Sequence, residues 1–154
     1  MHKFAVLFTS LFALIVFVPA LYSQDQETEI DLVHPIDLAL TACLDIDSNQ
    51  STFGMMGCLQ VAEEAWDREL NDVYKELMGS LDSAGQESLR RAQRAWLAYR
   101  DAEFELNGSV HYENLDGTMY HIFAADREME IVKQRALELR DYLNTLSDFG
   151  DEEE

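Results

Sequence analysis

Between Leu59 and Leu81 the apolar residues fall at Leu59, Ala62, Trp66, Leu70, Val73, Leu77 and Leu81. Steps of three and four place them on one side of a helix. The pattern predicts a long amphipathic helix from about Thr52 to Leu81. The chain breaks over Gly79 to Gly85, where Ser83 and Gln86 have the spacing of a capping box. A second helix follows, with Leu89, Ala92, Trp96, Tyr99 and Leu106 turned inward and Asn107-Gly108 as its stop. Residues 107–117 are expected to form the one substantial loop. A last helix from about Thr118 to Leu146 carries Met119, Ile122, Ala125, Met129, Val132, Ala136, Leu139, Leu143 and Leu146 as a continuous stripe. Upstream, Pro35 suits the first position of a short helix reaching about Asp47 and burying Ile36, Leu40 and Cys43. Asp47 to Gly54 is polar and turn-like. No segment alternates as a strand does. The expected fold is all-α, an antiparallel bundle of three long helices plus one short N-terminal helix.

The apolar run from Phe4 to Ala20 belongs to a different class. Preceded by Lys3 and followed by small residues, it reads as a signal peptide over residues 1–23, cut after Ala20 or Ser23. An uncleaved membrane anchor is the alternative. The expected organisation is then an acidic linker at 24–33, a helical domain at 34–147 and a disordered acidic tail at 148–154. Export places Cys43 and Cys58 in an oxidising space, where two cysteines most simply form one bridge. Two buried free thiols are the alternative.

Charge narrows the partners. The whole chain carries a formal −19, and loss of a signal peptide that contains only Lys3 leaves −20. Nucleic acid and anionic membranes need a basic footprint and are disfavoured. A cationic partner would be attracted, and its arrival accelerated. Solubility by itself explains acidity equally well. The expectation is an exported protein, periplasmic or secreted, with no stable membrane insertion once the signal is removed.

Candidate chemistry adds little to that picture. Asp45, Asp47, Asn49 and Ser51 imitate half a calcium loop, but Gln50 and Met56 stand where its glycine and bidentate glutamate belong. His34, His111 and His121 have no second ligand at metal spacing. No Ser-His-Asp order, phosphate loop or zinc motif is present, so no enzyme, metal or cofactor is expected. Arg90, Arg91 and Arg94 form the only basic cluster, and Glu87 beside them makes it an ordinary solvated helix face. Asp67, Asn71 and Tyr74 share one helix face, and Gln93, Trp96 and Arg100 share another. Folding back at the Gly79–Gly85 turn would bring Asn71 level with Gln93, and Asp67 or Glu63 level with Arg100. A polar seam of amide and Arg–carboxylate pairs between the two helices is expected. The other reading of Tyr74, Trp96 and Arg100 is a shallow recognition surface.

In order and spacing, Cys58, Asp67, Leu70, Asn71, Tyr74, Leu89, Gln93, Trp96, Arg100 and Asp101 resemble the core pattern of the lysozyme inhibitor LprI-like family, small exported helical proteins of bacteria. The likeness runs from about Cys43 to Leu143. Members often carry a second cysteine pair, at places filled here by Phe104 and Arg127, so Cys43–Cys58 would be the sole staple. The resemblance implies a non-catalytic domain that binds a cationic lysozyme and blocks its cleft. It assigns no inhibitory residues. Our candidate inserting element is the loop around His111, Tyr112, Glu113, Asn114 and Asp116. The alternative function is an envelope protein-interaction module with an unknown partner, which a large apolar patch around Trp66, Trp96 or Tyr99 would favour.

Overall fold

The computed structural model describes residues 33–149. The expected signal peptide, residues 24–32 of the acidic linker and the last five residues of the tail lie outside that range. The described residues hold four α-helices: α1 (Pro35–Leu44), α2 (Thr52–Ser80), α3 (Ser83–Gly108) and α4 (Met119–Phe149). A 3₁₀ turn at Asp47–Asn49 precedes α2, and a π-helical turn at Ser109–Glu113 extends α3. Among the described residues no helix is long and apolar enough to cross a membrane.

Cross-helix pairs define the topology. Thr52 meets Thr118, Glu69 meets Arg140 and Glu76 meets Arg140, at sequence separations of 66, 71 and 64, so α2 and α4 run parallel. Between α3 and α4 the separation widens from 17 at Asn107–Ala124 to 42 at Gln93–Arg135, so these two run antiparallel. Consecutive helices therefore alternate in direction. The core lies chiefly between α2 and α4, where Leu59, Ala62, Trp66, Leu70, Val73 and Leu77 meet Met129, Val132, Ala136 and Leu139. Trp66 is fully buried. Both stripes match the periodicity of the sequence, because helices presenting wide apolar faces bury most surface against each other.

α1 has no buried residue and is fastened at both ends. At its start His34 accepts from the Ile36 N–H (3.3 Å) and lies on Trp66 with ring centroids 4.3 Å apart. Nearby Asp37 pairs with Lys133 of α4 at 2.9 Å, and the Lys133 ammonium sits 5.6 Å from the Trp66 ring centroid. At its end Cys43 and Cys58 form a disulfide, with Cα atoms 5.8 Å apart. The helix stops at Leu44 rather than Asp47. Asn49 then turns its amide back onto the Cys43 carbonyl (3.0 Å), so the calcium-like run is used as a turn. Gly54 touches this turn, and a Cβ there would lie 2.6 Å from the Asn49 Cα.

Other boundaries also differ from expectation. Asp82, not Ser83, caps α3, accepting from the Gly85 N–H at 2.7 Å. Gln86 is not part of a capping box, and donates instead to the carbonyls of Met78 (3.1 Å) and Leu81 (3.0 Å) at the end of α2. Asn107-Gly108 does not stop the helix. Gly108 keeps right-handed backbone (φ −60°), because the Asn107 side chain is engaged with α4 and the chain continues into the π turn. The true break comes at 114–118, where Gly117 takes φ +117°. That value favours glycine. α4 runs on to Phe149, so residues 148 and 149 are helical rather than tail. Ala92, Tyr99, Leu106 and Met119 are exposed rather than core.

Candidate functional site

The inner seam of α3 is what positions the candidate sites. The less exposed residues of α3 include Gln86, Leu89, Gln93, Trp96, Arg100, Phe104 and Asn107, again at steps of three and four. An apolar bundle would place leucine at most of these, and here four are polar. Gln93 accepts from Arg135 Nε (3.1 Å), and the buried Arg135 also donates to Glu138 (2.6 Å). Asn107, itself buried, donates from Nδ2 to the Ala124 carbonyl and to Glu128 Oε1, each at 3.0 Å. Its Oδ1 is buried without a partner among the described residues. Arg127 of α4 reaches Glu103 at 3.2 Å. These bonds hold α3 to α4, and to α2 only at the tight turn. Along the rest of their length the α2 and α3 backbones stay apart.

That spacing decides the fate of the expected polar seam. Asn71 does not meet Gln93. Its amide donates to the Asp67 carbonyl (2.7 Å) and carboxylate (3.1 Å) on its own helix. Arg100 pairs with Asp101 (2.6 Å) rather than with Asp67 or Glu63, and its guanidinium lies 5.5 Å from the Trp96 centroid and 5.8 Å from that of Phe104. Asp67 lies one turn from Asn71 and so within its reach, and Asp101 is the residue next to Arg100, whereas partners across the wide gap are out of reach. The buried guanidinium of Arg135 also claims the Gln93 oxygen, since an unpaired buried charge is costly.

Instead seven of the ten residues that carry the resemblance line a cleft. Asp67, Leu70, Asn71 and Tyr74 form one wall, and Gln93, Trp96 and Arg100 form the other, around a cavity of about 300 Å³. Arg90, Arg94 and Leu97 complete it. Asp101 stays outside, paired to Arg100. Farther along the same gap, Gln60, Glu63, Glu64, Asp67 and Arg68 face Arg100 and Phe104 across a second hollow of about 430 Å³. Burial raises the pKa of Glu63, and the neighbouring Glu128, Asp67 and Glu64 carboxylates raise it further against the opposing pull of Arg100.

The predicted loop is a braced tip. His111 faces inward, half-buried, with Nδ1 3.1 Å from the Asn107 carbonyl. Ser109 donates to Glu113 (3.1 Å), and Asn114 donates to the Ser109 carbonyl (2.8 Å). Tyr112 packs on His121 with centroids 4.8 Å apart, and burial, then the Glu128 charge, raises its phenol pKa. Tyr112, Glu113, Asn114 and Asp116 all face solvent. Exposed Leu106, Val110, Leu115, Met119 and Phe123 flank them, an apolar margin the sequence reading did not assign. Met119 is exposed although it fits the apolar stripe of α4, whereas Phe123 falls off that stripe, and this departure is the signal the sequence offers. The three rings around which an apolar patch was expected for an interaction module differ in exposure: Trp66 is buried, Trp96 is partly covered and Tyr99 is half exposed.

Comparisons with known proteins agree with this architecture. The family model described as lysozyme inhibitor LprI matches residues 43–139. The chain is 30% identical over 128 residues to an uncharacterized protein of Rhizobium meliloti (strain 1021), covering 82% of this chain and 86% of that one. It is also similar to the crystal structure of an uncharacterized protein from Burkholderia thailandensis, with TM-score 0.71 and 32% identity over 76% of this chain. The match spans 57% of the Burkholderia chain.

Proposed function

Since the chain belongs to the lysozyme inhibitor LprI family, we propose that it is an exported, non-catalytic inhibitor that binds a cationic lysozyme through the 109–116 tip. The observation that carries this reading is the composition and bracing of that tip. Tyr112, Leu115 and Met119 offer apolar and aromatic contact, while Glu113 and Asp116 add negative charge, all solvent-facing. Aromatic anchors within a charged rim are the usual make-up of a tight binding patch. The internal hydrogen bonds of Ser109 and Asn114 pre-order the backbone, which lowers the entropy lost on binding. The formal charge of −19 would steer a basic enzyme towards it.

Lysis of bacterial cells by lysozyme in the presence of the purified protein tests this reading. Truncating Tyr112 to Ala should weaken inhibition by roughly tenfold or more, the scale of losing one aromatic anchor. Reversing Glu113 and Asp116 to Lys should weaken it further, most strongly at low salt. If neither change weakens inhibition, the tip is not the binding element.

A further inference from the structure

In a chain with 30 acidic and 11 basic residues, three of the eight arginines line one cavity between α2 and α3, opposed in its wall by one carboxylate, Asp67. We propose that this cleft is a binding site for a small carboxylate ligand with an apolar or ring face, a site independent of lysozyme. Arg90 Nη1 and Arg94 Nη2 each lie 3.5 Å from a different oxygen of Glu87, so their guanidiniums already bracket a carboxylate. At that distance the contacts are loose, and Glu87 is 63% exposed and outside the cavity wall. An incoming carboxylate therefore competes with a weak, solvated internal partner. Guanidinium forks match a carboxylate in shape as well as charge.

The rest of the cleft is suited to what the carboxylate would be attached to. Trp96 and Tyr74 supply ring faces, and Leu70 the apolar floor. Asn71 and Gln93 bring amide groups whose unused donors and acceptors can read hydroxyl or peptide groups. About 300 Å³ accommodates a ligand the size of a sugar acid or a dipeptide end. The amides at Gln86, Gln93 and Asn107 fix α3 against its neighbours, so ligand entry requires only that Arg90 and Arg94 exchange Glu87 for the incoming carboxylate.

The probes are glucuronate, acetyl-alanyl-alanine and, as a neutral match, glucose, titrated into the purified protein at physiological salt. Tryptophan emission and calorimetry both report binding. Trp66 is fully buried, so an emission change reports Trp96. The expected result is saturable binding of one or both carboxylates and none of glucose. Preference for glucuronate assigns the ligand to sugar acids, and preference for the dipeptide assigns it to peptide ends. Changing Arg90 and Arg94 together to Gln should weaken binding by about tenfold or more, the loss of a charge-assisted contact. Both side chains are exposed, so folding should survive. Glu87→Gln, which removes the internal competitor, should strengthen binding. Absence of saturable carboxylate binding, equal binding of glucose, or unchanged affinity in the double variant would overturn the proposal.

Discussion

Gln93 and Asn107 occupy positions where a bundle of this length would ordinarily carry leucine, and their amides set the distance between α3 and its neighbours. Glu63, across the gap from Arg100, shows the consequence of that arrangement. Its carboxyl is held above its ordinary pKa first by burial and then by Glu128 and Asp67. A raised carboxyl pKa means that the folded state binds the proton more tightly than the unfolded chain does. Its contribution is therefore fully present below the ordinary value of 4.5 and is lost as pH rises through the raised value. Glu63→Gln should raise the melting temperature at pH 7.5, and the gain should shrink as pH falls towards 5. A variant no more stable than the parent at pH 7.5 would contradict the assignment. None of this was legible in the sequence. Spacing put Asp67, Asn71 and Tyr74 on one face, but it could not tell a closed polar seam from an open cleft. That choice depends on which competitor claims each amide, and Arg135, some forty residues downstream, claims Gln93.

At the scale of elements the sequence was far more transparent. The α2 stripe was readable residue by residue and the α4 stripe from Ile122 to Leu143, while its ends, Met119 and Leu146, are exposed; both helices pack through the wide apolar faces that periodicity detects. α3 was harder to read. Its apolar residues Tyr99 and Leu106 suggested an inward face, yet the seam it uses is amide-rich and those two side chains are exposed. The end of α3 was misplaced because Asn107-Gly108 has the composition of a stop signal while the Asn107 side chain is spent on α4. α1 is too short to persist without tertiary support, and its fastenings are the His34–Trp66 stack, the Asp37–Lys133 pair and the disulfide. Opening the Cys43–Cys58 loop by changing both residues to Ser should destabilise the fold by about 3 kcal/mol, a fall of roughly 10 °C in melting temperature. Trp66 should become partly accessible to quenchers as α1 loosens. A negligible change in both measurements would mean that α1 is held by packing alone.

For the molecule as a whole, family and fold agree, and the formal net charge of −19 is the physical ground on which a basic partner is proposed. The described helices place an acidic, apolar-flanked tip at one end of the bundle and an arginine-lined cleft along its side. The two surfaces are separate, so lysozyme binding and carboxylate binding should be independent of each other. Long-range attraction between opposite charges weakens as salt shortens the Debye length to roughly 8 Å near physiological strength. A shape-specific contact persists beyond that point, whereas nonspecific adsorption of a polyanion on a basic enzyme does not. The decisive measurement is therefore a lysozyme lysis assay at low and physiological salt, with an unrelated acidic protein of similar size and charge as control. Our account predicts dose-dependent inhibition that survives physiological salt and is absent from the control. Inhibition equalled by the control, or none at either salt, would contradict the inhibitor assignment.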